Sequence, residues 1–171
     1  ISEVLTENDH DDYGKKHLKL RYVTMTEYDE NFKDVDVIFP KEEINNTLGE
    51  VLADAGKTQV RIAETEKYPH VTFFFNGGVE QEMQGESRII IPSPKVDTYD
   101  MQPEMSAQEI TDAIVERIDR QQPDFICLNY ANTDMVGHTG DFKAAKKAAE
   151  TVDQCLKQLM EACQAHHYAA L

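Results

Sequence analysis

From Pro40 onward the sequence keeps switching its hydrophobic period, and that switching constrains the fold more than any other feature. Between residues 42 and 55, Ile44, Leu48, Val51, Leu52 and Ala55 recur at helical spacing, and Gly56 follows as a stop. Residues 58–63 alternate as a strand, which leaves one face partly polar. Residues 69–75 carry mixed signals. His70 to Phe75 are rich in strand formers, yet Pro69 suits a first helical turn and Asn76-Gly77-Gly78 its end. A short buried helix is expected there, because residues 66–69 make a poor hairpin turn.

Residues 87–91 form a strand stopped by Pro92, and residues 92–103 form a proline-stiffened loop too long for a casual connection. Ser106 and Glu109 have capping-box spacing, ahead of an amphipathic helix reaching about residue 121 with Ile110, Ala113, Ile114 and Ile118 on its apolar side. A strand at 124–130 and a long helix at 141–163 follow, and residues 168–171 look like the opening of another strand. This order predicts an α/β fold with a mostly parallel, doubly wound sheet. Before Pro40, strands at 18–26 and 35–39 come without helices. A domain boundary is therefore expected near residues 40–42, dividing the chain into 1–41 and 42–171.

Charge narrows the function. The 171 residues carry a formal charge of −15, so no basic face is available to neutralise nucleic-acid phosphates. No apolar run approaches the roughly 20 residues of a membrane span, and no signal peptide is visible. Cys127, Cys155 and Cys163 include no CxxC pair and are expected as free thiols in a reducing compartment. The chain starts at Ile1 and stops at Leu171, and both ends read as cuts in a longer chain.

Residues 129–140 carry the chemistry. An apolar strand leads in and a helix leads out, and between them stand one carboxylate, Asp134, and one imidazole, His138. Oxygen and nitrogen ligands together suit Mn²⁺, Zn²⁺ or Fe²⁺, and the carboxyl end of a strand is where open α/β sheets hold their sites. Gly137 and Gly140 argue for a loop rather than a helix. Asp-x-x-x-His alone is a weak signal, since two ligands do not complete a metal site. The other histidines are poorly placed to help: His10 and His17 read as solvated surface, His70 as a satisfied buried histidine, His166 and His167 as surface. Lys67, at the start of the short helix, is a candidate anion clamp beside a helix N-terminus.

Longer blocks point to a family. Residues 61–78, Ser93-Pro94-Lys95-Val96 with Thr98-Tyr99-Asp100, residues 102–107, and Asn129-Tyr130-Ala131-Asn132 with Asp134-Met135-Val136-Gly137-His138 resemble the 2,3-bisphosphoglycerate-independent phosphoglycerate mutases, in that family's order. The resemblance implies a sheet of the alkaline phosphatase-like type. It also implies interconversion of 3-phosphoglycerate and 2-phosphoglycerate through a phosphoserine, with two divalent ions, usually Mn²⁺. It makes Asp134 and His138 two ligands of one ion and Lys67 a contact to the substrate phosphate; Thr133 stands where the family more often has proline. It assigns residues 1–41 to the tail of a phosphotransferase domain and its linker, and 42–171 to the central part of a metal-binding phosphatase domain.

The serine nucleophile and the remaining ligands match no residue here, so the piece alone is expected to be inactive. The full-length enzyme is expected to be a cytoplasmic monomer of glycolysis and gluconeogenesis, acting on a small molecule without nucleic-acid or membrane partners. A phosphatase or phosphonate hydrolase of the same superfamily, and a stand-alone binding module, are the competing readings; residues 67–78 favour the mutases.

Overall fold

The computed structural model describes residues 20–29, 32, 35–40 and 44–171. Expectations for His10, His17 and the first residues of the strand at 18–26 lie outside them. The chain divides into two compact units, Ile1–Glu43 and Ile44–Leu171. In the first, β1 (Tyr22–Thr26) and β2 (Val35–Phe39) pair in parallel, with Tyr22 opposite Val35. Arg21 Nε donates to Asp36 Oδ2 at 2.6 Å across the pair.

The second unit opens with α1 (Leu48–Asp54), shorter than the helical spacing from residue 42 suggests. Its start is set by a capping box that the apolar periodicity does not reveal. The Thr47 hydroxyl accepts from the backbone of Glu50, and the Glu50 carboxylate accepts from the backbone of Thr47 at 2.7 Å. Three parallel strands follow: β3 (Gln59–Glu64), β4 (Glu86–Ile91) and β5 (Phe125–Asn129), in the order β4-β3-β5. The register sets Ile62 beside Ile89 and Leu128.

One face of the sheet is the apolar core. Val60 and Ile62 of β3 meet Ile110, Ile114 and Ile118 of α3 (Ala107–Gln121), and Cys163 of α5 (Phe142–Ala165) closes the cluster. The three α3 isoleucines are 0% exposed, each contributing about 1.5–3 kcal/mol relative to exposure. The opposite face of β3 is polar, as alternation predicts, but it is buried rather than wet. Arg61 lies over the neighbouring rings of Phe75 and Phe125, 4.3 and 5.2 Å from their centroids, and donates to Gln59 Oε1 at 2.5 Å. Burial lowers its pKa. Gly49 of α1 leaves the room this requires: a Cβ there would stand 2.9 Å from Asn76 Oδ1 and 3.1 Å from Arg61 Nη2.

Four further expectations need correction. The Ser106 hydroxyl caps no helix; it donates to the Pro92 carbonyl at 2.8 Å, and its backbone lies outside the extended region a capping residue adopts. His70 is exposed, with its ring edge on Phe74. His166 is half-buried, its Nε2 2.8 Å from Asp119 Oδ1, so it belongs to the α3–α5 contact rather than to open surface. Residues 168–171 are not a strand, and Tyr168 instead donates its hydroxyl to the Pro123 carbonyl at 2.5 Å.

Candidate functional site

At the carboxyl ends of β3 and β5 two short elements converge. A 3-10 turn, Thr65–Lys67, leads directly from β3 into the four-residue helix α2 (Tyr68–Val71), and Pro69 sits in its first turn. Tyr68 fixes that start: its hydroxyl accepts from Arg88 Nη1 at 2.9 Å and donates to Glu80 Oε1 at 3.2 Å. Lys67 is thereby held at the turn's end with its side chain only 14% exposed. A helix of four residues offers little dipole, so the ammonium itself, not a helix N-terminus, is what this position presents to an anion.

The second element overturns an expectation. Residues 132–137 form a helix, α4 (Asn132–Gly137), not a loop. The His138 N–H reaches the Asp134 carbonyl at 3.1 Å, continuing the i to i+4 pattern past Gly137, and Gly140 at φ +76° breaks it. Asp134 and His138 are consequently stacked on one helix face, His138 Nε2 lying 3.4 Å from Asp134 Oδ1. Lys67 Nζ donates to Asp134 Oδ2. The hydrogen bond and charge of Lys67 hold the Asp134 carboxyl below the usual range, with smaller contributions from His138 and His70.

Two donor atoms each about 2.1 Å from one ion stand roughly 3 to 3.5 Å apart, and the Asp134–His138 separation of 3.4 Å matches that range. Both side chains face solvent, at 53% and 75% exposure, so an ion can reach them. The pair fits part of a coordination shell. Among the described residues no group of three or more His, Cys, Asp and Glu side chains could hold an ion.

Sequence reasoning missed the second layer. Glu64, the last residue of β3, is 0% exposed, and its Oε2 accepts from the Ser93 hydroxyl at 2.9 Å. Burial pushes its carboxyl up, offset in part by Ser93 and by the backbone of Ser106. Glu66 accepts from the Tyr99 hydroxyl at 2.8 Å, and burial together with that carboxylate pushes Tyr99 up to about 12. Nothing in the spacing of these residues marks them; only the length of the 92–103 loop hinted that it packs on something.

The metalloenzyme superfamily model matches residues 10–171. The 2,3-bisphosphoglycerate-independent phosphoglycerate mutase of Clostridium botulinum is 57% identical over 160 residues, 94% of this chain and 31% of that protein. The enzyme of the same name from Flavobacterium psychrophilum is 55% identical over 171 residues, covering 100% of this chain and 34% of that protein. Crystal structures of Leishmania mexicana phosphoglycerate mutase at low cobalt concentration provide a structural match with TM-score 0.77 and 29% identity, covering 96% of this chain and 31% of the other. This chain therefore spans about a third of the length of the curated relatives it matches.

Proposed function

Because this chain belongs to the metalloenzyme superfamily, we propose that it supplies part of one metal site and one phosphate contact to a 2,3-bisphosphoglycerate-independent phosphoglycerate mutase. In this reading the full gene product interconverts 3-phosphoglycerate and 2-phosphoglycerate through a phosphoserine, using two divalent ions, with Mn²⁺ the preferred ion. Residues 1–41 belong to the tail of the phosphotransferase domain and its linker, and 42–171 to the central part of the phosphatase domain. The full-length enzyme is a cytoplasmic monomer serving glycolysis and gluconeogenesis. The serine nucleophile is assigned to no residue of this chain.

The observation that carries the reading is the convergence of Lys67, Asp134 and His138 from two elements that share no local sequence. Asp134 and His138 would hold the ion. A bound divalent ion would neutralise phosphoryl charge and activate a hydroxyl nucleophile. Lys67 has three N–H donors, of which Asp134 engages one, leaving others for phosphoryl oxygens. Phosphoryl transfer asks for positioning and charge stabilisation more than for covalent work, and a half-buried ammonium tied to a metal ligand supplies both.

The test is turnover of the full gene product on 3-phosphoglycerate in the absence of 2,3-bisphosphoglycerate. Formation of 2-phosphoglycerate, abolished by a chelator and restored by Mn²⁺, is expected. Metal binding without interconversion would favour the binding module instead.

A further inference from the structure

Lys67 is presented by a turn with little to hold it. No side chain caps the Thr65–Lys67 turn, and none caps the four-residue helix after it. The 92–103 segment does that work from outside. The Ser93 hydroxyl donates to Glu64 Oε2 at 2.9 Å and accepts from the Glu66 N–H at 3.4 Å. The Ser93 N–H donates to Thr65 Oγ1 at 3.2 Å, and Tyr99 donates to Glu66 Oε1. Ser106 fixes the start of the same segment through the Pro92 carbonyl. Every residue from Glu64 to Glu66 is therefore bonded to this strap, and Lys67 comes next.

The anchor is a carboxyl group in an unfavourable place. Glu64 is fully buried at the end of β3, on the side of the sheet that carries Val60 and Ile62, and burial raises its pKa despite the Ser93 hydroxyl and the Ser106 backbone. Burying a carboxyl group is costly, and an apolar residue at the end of this strand would pack against the core without that cost. What a carboxyl provides here is the Oε2 acceptor, which fixes the Ser93 hydroxyl in the one position that serves both Glu64 and the Glu66 backbone.

We propose that Glu64 and Ser93 are positioning residues for Lys67: the Glu64–Ser93 hydrogen bond locks the 92–103 strap onto the turn and so fixes the ammonium where it meets Asp134 and the transferring phosphoryl group. Neither residue touches substrate. The inference rests on the mutase reading, because the value of a fixed ammonium lies in phosphoryl transfer.

The experiment uses the full gene product and the variants Ser93→Ala, Glu64→Ala, Glu64→Gln, Lys67→Ala and Glu64→Ala/Lys67→Ala, with kcat, KM for 3-phosphoglycerate and bound metal measured for each. Ser93→Ala is expected to lower kcat about tenfold or more, with wild-type metal content. Glu64→Gln keeps an acceptor for the Ser93 hydroxyl, so its kcat is expected to stay within about threefold of wild type. Adding Glu64→Ala to Lys67→Ala is expected to cost nothing further, because the residue being positioned is already gone. Wild-type kcat in Ser93→Ala would overturn the proposal. So would a full additional loss in the double variant, which is the mark of a purely structural carboxylate. Should Glu64→Ala fail to fold, Ser93→Ala and Glu64→Gln still decide. Wild-type turnover in Lys67→Ala would sink the role of Lys67 and this proposal with it, whereas absence of any mutase activity in the wild-type protein would sink the reading of function itself.

Discussion

The two ends of the parallel sheet each carry a lysine–aspartate pair, and the pairs are built differently. At the amino end Asp124 precedes β5 and Lys57 precedes β3. The Asp124 carboxylate accepts from the Thr58 N–H and hydroxyl, both at 2.9 Å, and from Lys57 Nζ at 3.0 Å. The Asp124 N–H returns a bond to the Thr58 hydroxyl at 3.0 Å. Those bonds bring its pKa down to about 2. This carboxylate staples the start of one strand to the start of its neighbour. At the carboxyl end it is the lysine that differs: Lys67 is 14% exposed against 51% for Lys57, while the two aspartates are similarly open and Asp134 has an imidazole stacked beside it. The same two residue types thus make a hydrogen-bonded joint at one end and a ligand set at the other. Backbone donors make the difference, because Asp124 accepts from a neighbouring strand's main chain and Asp134 does not.

Substitutions at the two ends should separate cleanly. The largest effect is expected from Asp134→Asn in the full gene product, where turnover should fall more than about a hundredfold while the thermal midpoint holds. A fall in midpoint without loss of turnover would make Asp134 a second staple. Lys67→Ala should reduce kcat by about a hundredfold yet leave bound metal intact, as elemental analysis beside steady-state kinetics would reveal. Asp124→Ala should do the opposite, lowering the midpoint in thermal melts while kcat/KM stays within about twofold. The smallest effect is in pH. The folded pKa of Asp124 lies below the ordinary carboxylate value near 3.9. Its contribution is therefore complete above about pH 4 and is lost as pH falls toward about 2. Urea melts of wild type and Asp124→Asn should differ most above pH 4 and converge in acid; a constant gap would rule out linkage through this carboxyl.

Much of the layout was legible in the sequence because the period switches are strong. The order of strands and helices in the second unit follows from Pro and Gly punctuation and from runs such as Ile110, Ile114 and Ile118. What stayed hidden was decided by contacts between segments distant in sequence. Gly137 suggests a loop on local propensity, yet it sits at the last position of α4, where a glycine costs the helix little. Ser106 looks like a cap, but the Pro92 carbonyl claims its hydroxyl first. The face of β3 with Gln59 and Arg61 reads as partly polar, and only the structure shows Phe75, Phe125 and the bare surface of Gly49 closing over it. At the site, Asp134 and His138 stood out as ligand types, whereas Glu64 and Ser93 are ordinary residues whose meaning appears only when the 92–103 segment folds back across β3.

The decisive measurement is bound Mn²⁺ beside turnover on 3-phosphoglycerate in His138→Ala of the full gene product. His138 is the most exposed member of the set, at 75%, with its imidazole 3.4 Å from Asp134, so its removal should disturb the fold little. Loss of about one equivalent of metal together with turnover is expected. Full metal content and undiminished turnover in that variant would remove His138 from the ligand set.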